Sequence, residues 1–223
     1  MNWLALIGMT VVSYLLGSFP SGIVLGRLLK GIDLRQYGSG KTGATNSLRT
    51  LGWQISLAVF LLDFGKGALA VLLAQHTFFP PEYQPWATLV MALACMLGHD
   101  YSIFIRFSGG RGAATGLGEL FAVSPLALLI IFVVGLPIIA ITRYVSLASI
   151  VGSVLGPIAI LVAAVVTGLD WRYIFFAIVC GGLIVIKHAD NIQRLLNGTE
   201  RKLGEKAKPT TDSASTTKQG ATK

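Results

Sequence analysis

Long runs with almost no charge recur along this chain and constrain it more than any other feature. Residues 3–29, 53–74, 86–107, 145–168 and 171–187 each come near or exceed the roughly 20 mostly apolar residues that a bilayer-spanning helix needs. Hydrophobic residues make up 53% of the 223 and charged residues 13%, a balance too apolar for a soluble domain of this size. The expected class is an all-α integral membrane protein, because a helix satisfies its own backbone hydrogen bonds where there is no water to do so.

Residues 112–141 form a further apolar region, too long for one ordinary crossing. Ser124-Pro125 divides it, since proline removes a backbone donor and pushes the preceding residue away from helical geometry. Basic residues fall in 27–49, in 106–111, at Arg143 and in 194–223, and these share one side only if 112–141 crosses twice. Seven transmembrane helices follow, with the N-terminus outside, the C-terminus cytoplasmic and a short fourth span near 112–122. At about 1.5 Å per residue that span covers barely half the hydrocarbon, so it should pack inside the bundle. The N-terminal run lacks a basic leader and is longer than a signal-peptide core, so it is expected to be retained. Residues 1–204 read as one membrane domain, and 205–223, rich in Ser, Thr, Lys and Ala, as a disordered basic cytoplasmic tail. Cys95 and Cys180 lie in apolar runs and read as small core residues.

Two loops on the basic side carry phosphate-binding composition. Residues 37–49 hold three glycines, four Ser or Thr residues and the cations Lys41 and Arg49 within thirteen positions. Glycines let successive N–H groups turn inward as an anion nest, hydroxyls add donors, and cations neutralise the charge. A nucleotide P-loop is excluded, because Arg35 stands where its first glycine belongs and no strand precedes it. Residues 108–115 repeat the recipe around Arg111 and open a helix whose first amides favour an anion. Two nests suggest two phosphates. His188 and Asn191, three apart at the end of the last span, can share a helix face and hold two hydroxyls of a polyol, or His188 can accept a proton while Asn191 fixes the acceptor. Asp63 and Lys66 lie well inside the second span, where they should pair or face the bundle interior, and Glu119 poses the same problem with no obvious partner.

Basic residues outnumber acidic ones by 18 to 10, which favours anionic partners, yet they sit in short loops, so nucleic acid is excluded. No nucleophile elbow is present, and no histidine is followed by aspartate five residues on, the pattern of acyltransferases that use thioester donors. Metal-ligand clusters are missing and no cofactor is implied.

Seven ordered blocks resemble the bacterial acyl-phosphate:glycerol-3-phosphate acyltransferases, the PlsY family: residues 17–22, 38–49, Asp63 with Lys66-Gly67, Gly98-His99, 109–116, 144–147, and 188–200. The resemblance implies transfer of a fatty acyl group from acyl phosphate to the first hydroxyl of glycerol 3-phosphate in the bacterial inner membrane, with the active site facing the cytoplasm. It makes Ser39, Arg49, Arg111 and Ser146 phosphate ligands, adds Thr45 and Thr199 as further ligands, and gives the glycerol hydroxyls to His188 and Asn191, which with Ser39 form the catalytic set. It also implies a functional link to the enzyme that makes acyl phosphate. The chain departs from the family at Lys41 (usually Asn), Arg111 (usually Lys) and Asp100 (commonly apolar). A transporter for a phosphorylated metabolite is the competing class, marked by polar residues at mid-membrane reachable from both sides. A purely structural scaffold would leave both nests unexplained.

The topology yields a direct expectation. In a background lacking Cys95 and Cys180, cysteines at Thr42 and Ser213 should be shielded from an impermeant thiol reagent in intact cells, while one at Glu82 is labelled; labelling at Thr42 would overturn the orientation.

Overall fold

The computed structural model describes residues 2–76 and 79–207. Ten α-helices account for most of them: α1 (Trp3–Ser18), α2 (Ser21–Lys30), α3 (Ala44–Leu51), α4 (Trp53–His76), α5 (Gln84–Asp100), α6 (Ala113–Val123), α7 (Pro125–Thr142), α8 (Val145–Thr167), α9 (Ile174–Lys187) and α10 (Ala189–Leu196). Among the described residues, extended pairing is confined to a single bridge between Ser102 and Ser108. Four helical runs are long and apolar enough to cross a membrane: Trp3–Lys30, Trp53–His76, Pro125–Thr142 and Val145–Thr167. The segment Trp171–Lys187, bent by 59° against α10, makes a fifth if each bent pair counts as one. The fold is all-helical and of the integral membrane type.

Local chemistry sets the helix ends. Asn2 accepts the Ala5 amide at the start of α1, and the run expected over 3–29 breaks at Phe19-Pro20 before resuming as α2. Ser124 caps α7 by accepting the Ala127 amide, and Pro125 takes the first helical position, where its missing N–H costs nothing. That junction confirms the division of 112–141, and α6 is a short helix of 11 residues. The third apolar run ends earlier than residue 107. Helix α5 stops at Asp100, and the Ser102–Ser108 bridge closes a tight turn whose Ser102 hydroxyl donates to the Ser18 carbonyl at the end of α1. Glu205–Ala207, expected in the disordered tail, are anchored: the Ala207 amide donates to the Arg49 carbonyl at 3.1 Å. The remainder of the expected tail lies outside the described residues.

Van der Waals contact drives packing between membrane helices, so backbones must approach closely at small residues. A Cβ on Gly17 would fall on the Cys95 carbonyl and one on Gly98 on the Tyr14 carbonyl, which locks α1 against α5. Gly118 and Gly67 play the same part between α6 and α4, facing the carbonyls of Phe64 and Thr115. The largest apolar core lies where α6, α7, α8 and α9 meet, around Leu120, Leu128, Ile160 and Phe176. Cys95 and Cys180 are both buried, as expected for small core residues. Thr42 is 4% exposed, so exposed Lys30 is the better position for a thiol probe on that side.

Gly118→Ala should destabilise the fold by about 1–3 kcal/mol, because a backbone carbonyl cannot yield as a side chain can. Gly65→Ala, with open space around its Cβ, should not. Thermal unfolding of both variants in detergent checks the contrast; equal melting temperatures would overturn the close-packing account.

Candidate active site

One side chain organises the first glycine loop. Asn46, in the first turn of α3, donates to the carbonyls of Leu34, Tyr37 and Lys41 at 3.2, 3.0 and 2.9 Å and accepts the Ser39 amide at 3.1 Å. The loop can wrap this amide because Gly38 and Gly40 sit at φ +60° and +68°, a region that favours glycine. Ser39, Lys41, Thr45 and Arg49 are thereby presented to one cavity.

The second loop rests on buried charge. Asp63 Oδ1 accepts the Ser21 hydroxyl at 2.7 Å, pairs with Lys66 at 2.9 Å and lies 3.5 Å from His99 Nδ1. Lys66 also donates to the Phe19 carbonyl at 3.1 Å, at the break between α1 and α2. The expected pairing of Asp63 and Lys66 is therefore present and wider than a pair. Gly110 packs on the His99 ring, where a Cβ would collide, and its amide donates to the His99 carbonyl at 3.1 Å. Arg111 follows directly, its guanidinium held by Asp190 at 2.6 Å. Burial opposes ionisation of Asp190, but Arg111 and Arg194 outweigh it and hold the carboxyl below its ordinary range.

His188 occupies the joint between α9 and α10. Its Nδ1 lies 2.8 Å from the Ile184 carbonyl, which can only accept, so Nδ1 carries the proton and Nε2 is left as an acceptor. Burial pulls the imidazole below its ordinary pKa and the Arg111 charge adds to this, which favours the neutral form. Both His188 and Asn191 are 4% exposed and line the cavity.

Glu200 is the carboxylate at the centre of this end. Its Oε1 accepts from the Ser146 hydroxyl at 2.8 Å and the Asn191 amide at 2.7 Å, and its Oε2 from Arg194 at 2.7 Å. Burial works against the charge, yet these donors keep Glu200 below its ordinary pKa. The segment that follows forms a strap: Arg49 donates to the Arg201 carbonyl at 2.9 Å, and Arg143 exchanges hydrogen bonds with the backbone of Leu203.

The cavity has a volume of about 420 Å³ and two characters. Its polar end gathers Ser39, Thr45, Arg49, Arg111, Ser146, His188 and Asn191, seven of the residues expected from the sequence. Thr199 stays outside, exposed, its hydroxyl turned to the Arg194 carbonyl at 3.5 Å; the next residue, Glu200, takes the inward position. Beyond the polar end the walls are apolar, with Phe60, Leu117, Phe132 and Ile184 among them. Glu200 and Asn46 are the cavity-lining residues that residue-type reasoning missed. The signal for Glu200 was an acid inside an otherwise basic segment, two residues past Gly198, whose φ is +68°.

At the polar end, Arg49 Nε, Arg111 Nε and Asn191 Oδ1 are buried and have no partner among the described residues. Arg49, Arg111 and Asn191 line a cleft that continues into an apolar pocket, and two guanidinium groups with an amide at its polar end suit a ligand with a phosphate, a hydroxyl and a hydrocarbon chain. Comparison with known proteins agrees. Residues 7–198 match the profile of the glycerol-3-phosphate acyltransferases. The chain belongs to that family. A glycerol-3-phosphate acyltransferase of Synechocystis is 42% identical over 91% of this chain and 92% of its own. Glycerol-3-phosphate acyltransferase 2 of Moorella thermoacetica is 43% identical over 88% and 97%. The crystal structure of PlsY (YgiH) in its glycerol 3-phosphate form is similar at a TM-score of 0.81 and 42% identity, covering 90% of this chain and 96% of that one; the lysophosphatidic acid form gives 0.79. This member of the family is an integral membrane acyltransferase.

Removing Glu200 should loosen the polar end of the cavity. Glu200→Ala leaves Ser146 and Asn191 without their shared acceptor and should cost about 2–3 kcal/mol in stability, seen as a lower melting temperature. Because the folded-state pKa is lowered, this stabilisation is present above the ordinary glutamate pKa and lost as pH falls through the lowered value. A melting temperature that falls with acid equally in wild type and variant would overturn the assignment.

Proposed function

We propose that this acyltransferase moves a fatty acyl group from acyl phosphate to the 1-hydroxyl of glycerol 3-phosphate, giving lysophosphatidate and inorganic phosphate. The reading rests on one observation: Arg49 and Arg111 line one cleft with His188 and Asn191 at the polar end of an apolar cavity. Ser39, Arg49, Arg111 and Ser146, with Thr45 beside them, are assigned to phosphate. His188 and Asn191 are assigned to the glycerol hydroxyls, and with Ser39 they make up the catalytic set. Thr199 contributes through its turn rather than as a ligand.

In the reaction the acceptor hydroxyl oxygen attacks the acyl carbon and the bond from that carbon to the phosphate oxygen breaks. The hydroxyl proton passes to His188 Nε2 or to the departing phosphate. Acyl phosphate is a mixed anhydride with a good leaving group, so alignment and charge stabilisation by the two arginines suffice and no covalent nucleophile is required. The neutral, Nδ1-protonated His188 supports acceptance of a hydrogen bond from the hydroxyl in either case.

The bundle is proposed to cross the bacterial inner membrane seven times, with the N-terminus outside and the site facing the cytoplasm. The clustering of Arg49, Arg111, Arg143 and Arg194 around one end supports that orientation. Residues 1–204 are proposed as the membrane domain. An enzyme that makes acyl phosphate is the implied functional partner.

The test is purified protein with glycerol 3-phosphate and either acyl phosphate or an acyl thioester, followed by product analysis. Acyl phosphate should yield lysophosphatidate and thioesters little. Arg49→Ala and Arg111→Ala should each lose roughly ten- to a hundredfold in catalytic efficiency, the worth of a charge-assisted hydrogen bond of about 1.5–3 kcal/mol. Equal use of a thioester would overturn the donor assignment, and near-wild-type alanine variants would overturn the role of the arginines.

A further inference from the structure

Arg49 and Arg111 line the same cavity, yet the protein holds them by different chemistry. Arg111 is fixed by the Asp190 carboxylate at 2.6 Å, which orients the guanidinium and cancels part of its charge. Arg49 instead donates to a neutral acceptor, the Arg201 carbonyl at 2.9 Å. A guanidinium carries five N–H donors, so one bond to a carbonyl steadies the side chain while its charge and remaining donors stay available to an anion. How well Arg49 is steadied therefore depends on how firmly that carbonyl is held.

The carbonyl sits between two anchors. On one side Glu200 is tied by its carboxylate to Ser146, Asn191 and Arg194. On the other, Leu203 exchanges two hydrogen bonds with Arg143 at the joint between α7 and α8: the Leu203 amide donates to the Arg143 carbonyl at 2.7 Å, and the Arg143 guanidinium donates to the Leu203 carbonyl. Only Arg201 and Lys202 lie between the anchors, a stretch that spans at most about 10 Å when extended, so the Arg201 carbonyl has little room to wander. The strap then returns to Arg49 itself, where the Ala207 amide donates to the Arg49 carbonyl at 3.1 Å. Arg143 holds this place from the left-handed region, at φ +63°, where a non-glycine residue is uncommon. It is exposed and stands outside the cavity walls.

We propose that Arg143 is a positioning residue for Arg49: by clasping Leu203 it fixes the Arg201 carbonyl on which the Arg49 guanidinium rests, and so tunes catalysis without touching a substrate. The inference rests on the assignment of Arg49 to phosphate given above. Gly204 offers a second way to disturb the same clasp. Its φ is +91°, where a β-branched residue is strained, and a Cβ there would lie 3.1 Å from the Arg143 guanidinium.

The experiment measures kcat and KM toward glycerol 3-phosphate and acyl phosphate with the purified full chain in detergent. Arg143→Ala and Gly204→Val should each lose about three- to tenfold in catalytic efficiency, toward the same substrate and through the same parameter as Arg49→Ala. Arg143→Lys, which can still donate to a carbonyl, should recover most of the loss, and Lys206→Ala, on an exposed side chain of the strap, should match wild type. In the double variant Arg49→Ala with Arg143→Ala, the second substitution should cost less than about twofold more, because the clasp then has nothing left to position. Wild-type efficiency in Arg143→Ala or Gly204→Val, or losses that multiply in the double variant, would overturn the role of Arg143 alone. Near-wild-type Arg49→Ala would overturn the phosphate assignment and this inference together.

Discussion

Asp63 is the point from which the polar end of this bundle is built. A carboxylate and an ammonium taken out of water cost several kcal/mol each unless their remaining lone pairs and protons find partners. Here Ser21, Lys66 and His99 converge on one carboxylate oxygen, and Lys66 turns its spare proton to the Phe19 carbonyl. Those contacts join α2, α4, α5 and the break after α1 at a single node. His99 then serves as the platform for Gly110, so the position of Arg111 descends from this ion cluster.

A membrane enzyme that acts on an anion and a hydrocarbon chain must keep two incompatible surroundings in contact. The short α6 achieves this. Its first turn carries the loop of Arg111, and along its length Ala113, Gly116, Leu117 and Leu120 line the cavity from the polar end into the apolar part. Helix α7 begins one residue later and supplies Ile131, Phe132 and Leu136 to the same wall. The division of 112–141 at Ser124-Pro125 thus provides both walls of a space that one straight helix would fill.

Much of this was legible in the residues. Apolar runs, proline breaks and the clustering of basic loops give the helical class, glycine-rich loops with cations point to Ser39, Thr45, Arg49 and Arg111, the three-residue spacing points to His188 and Asn191, and the family resemblance points to Ser146. The misses have physical causes. The end of α5 at Asp100 depends on the hydroxyl of Ser102 reaching Ser18, a contact 84 residues apart that no local pattern carries. Thr199 and Glu200 are adjacent, and which of them turns inward is decided by Arg194, Asn191 and Ser146 converging on the acid. Asn46 stands in the sequence only as one residue of the first glycine-rich block, and its four backbone contacts become visible only once Leu34 to Lys41 wrap around it.

The strap after Glu200 is held chiefly through main-chain atoms: the Arg201 and Leu203 carbonyls accept, and the Leu203 and Ala207 amides donate. Its course is therefore indifferent to most of the side chains along it. Gly204 stands apart, at φ +91°, where a side chain would be strained. Mutational drift can accumulate at Lys202, Leu203 and Lys206 while the strap keeps its path, so variability in this stretch is no sign of a dispensable segment.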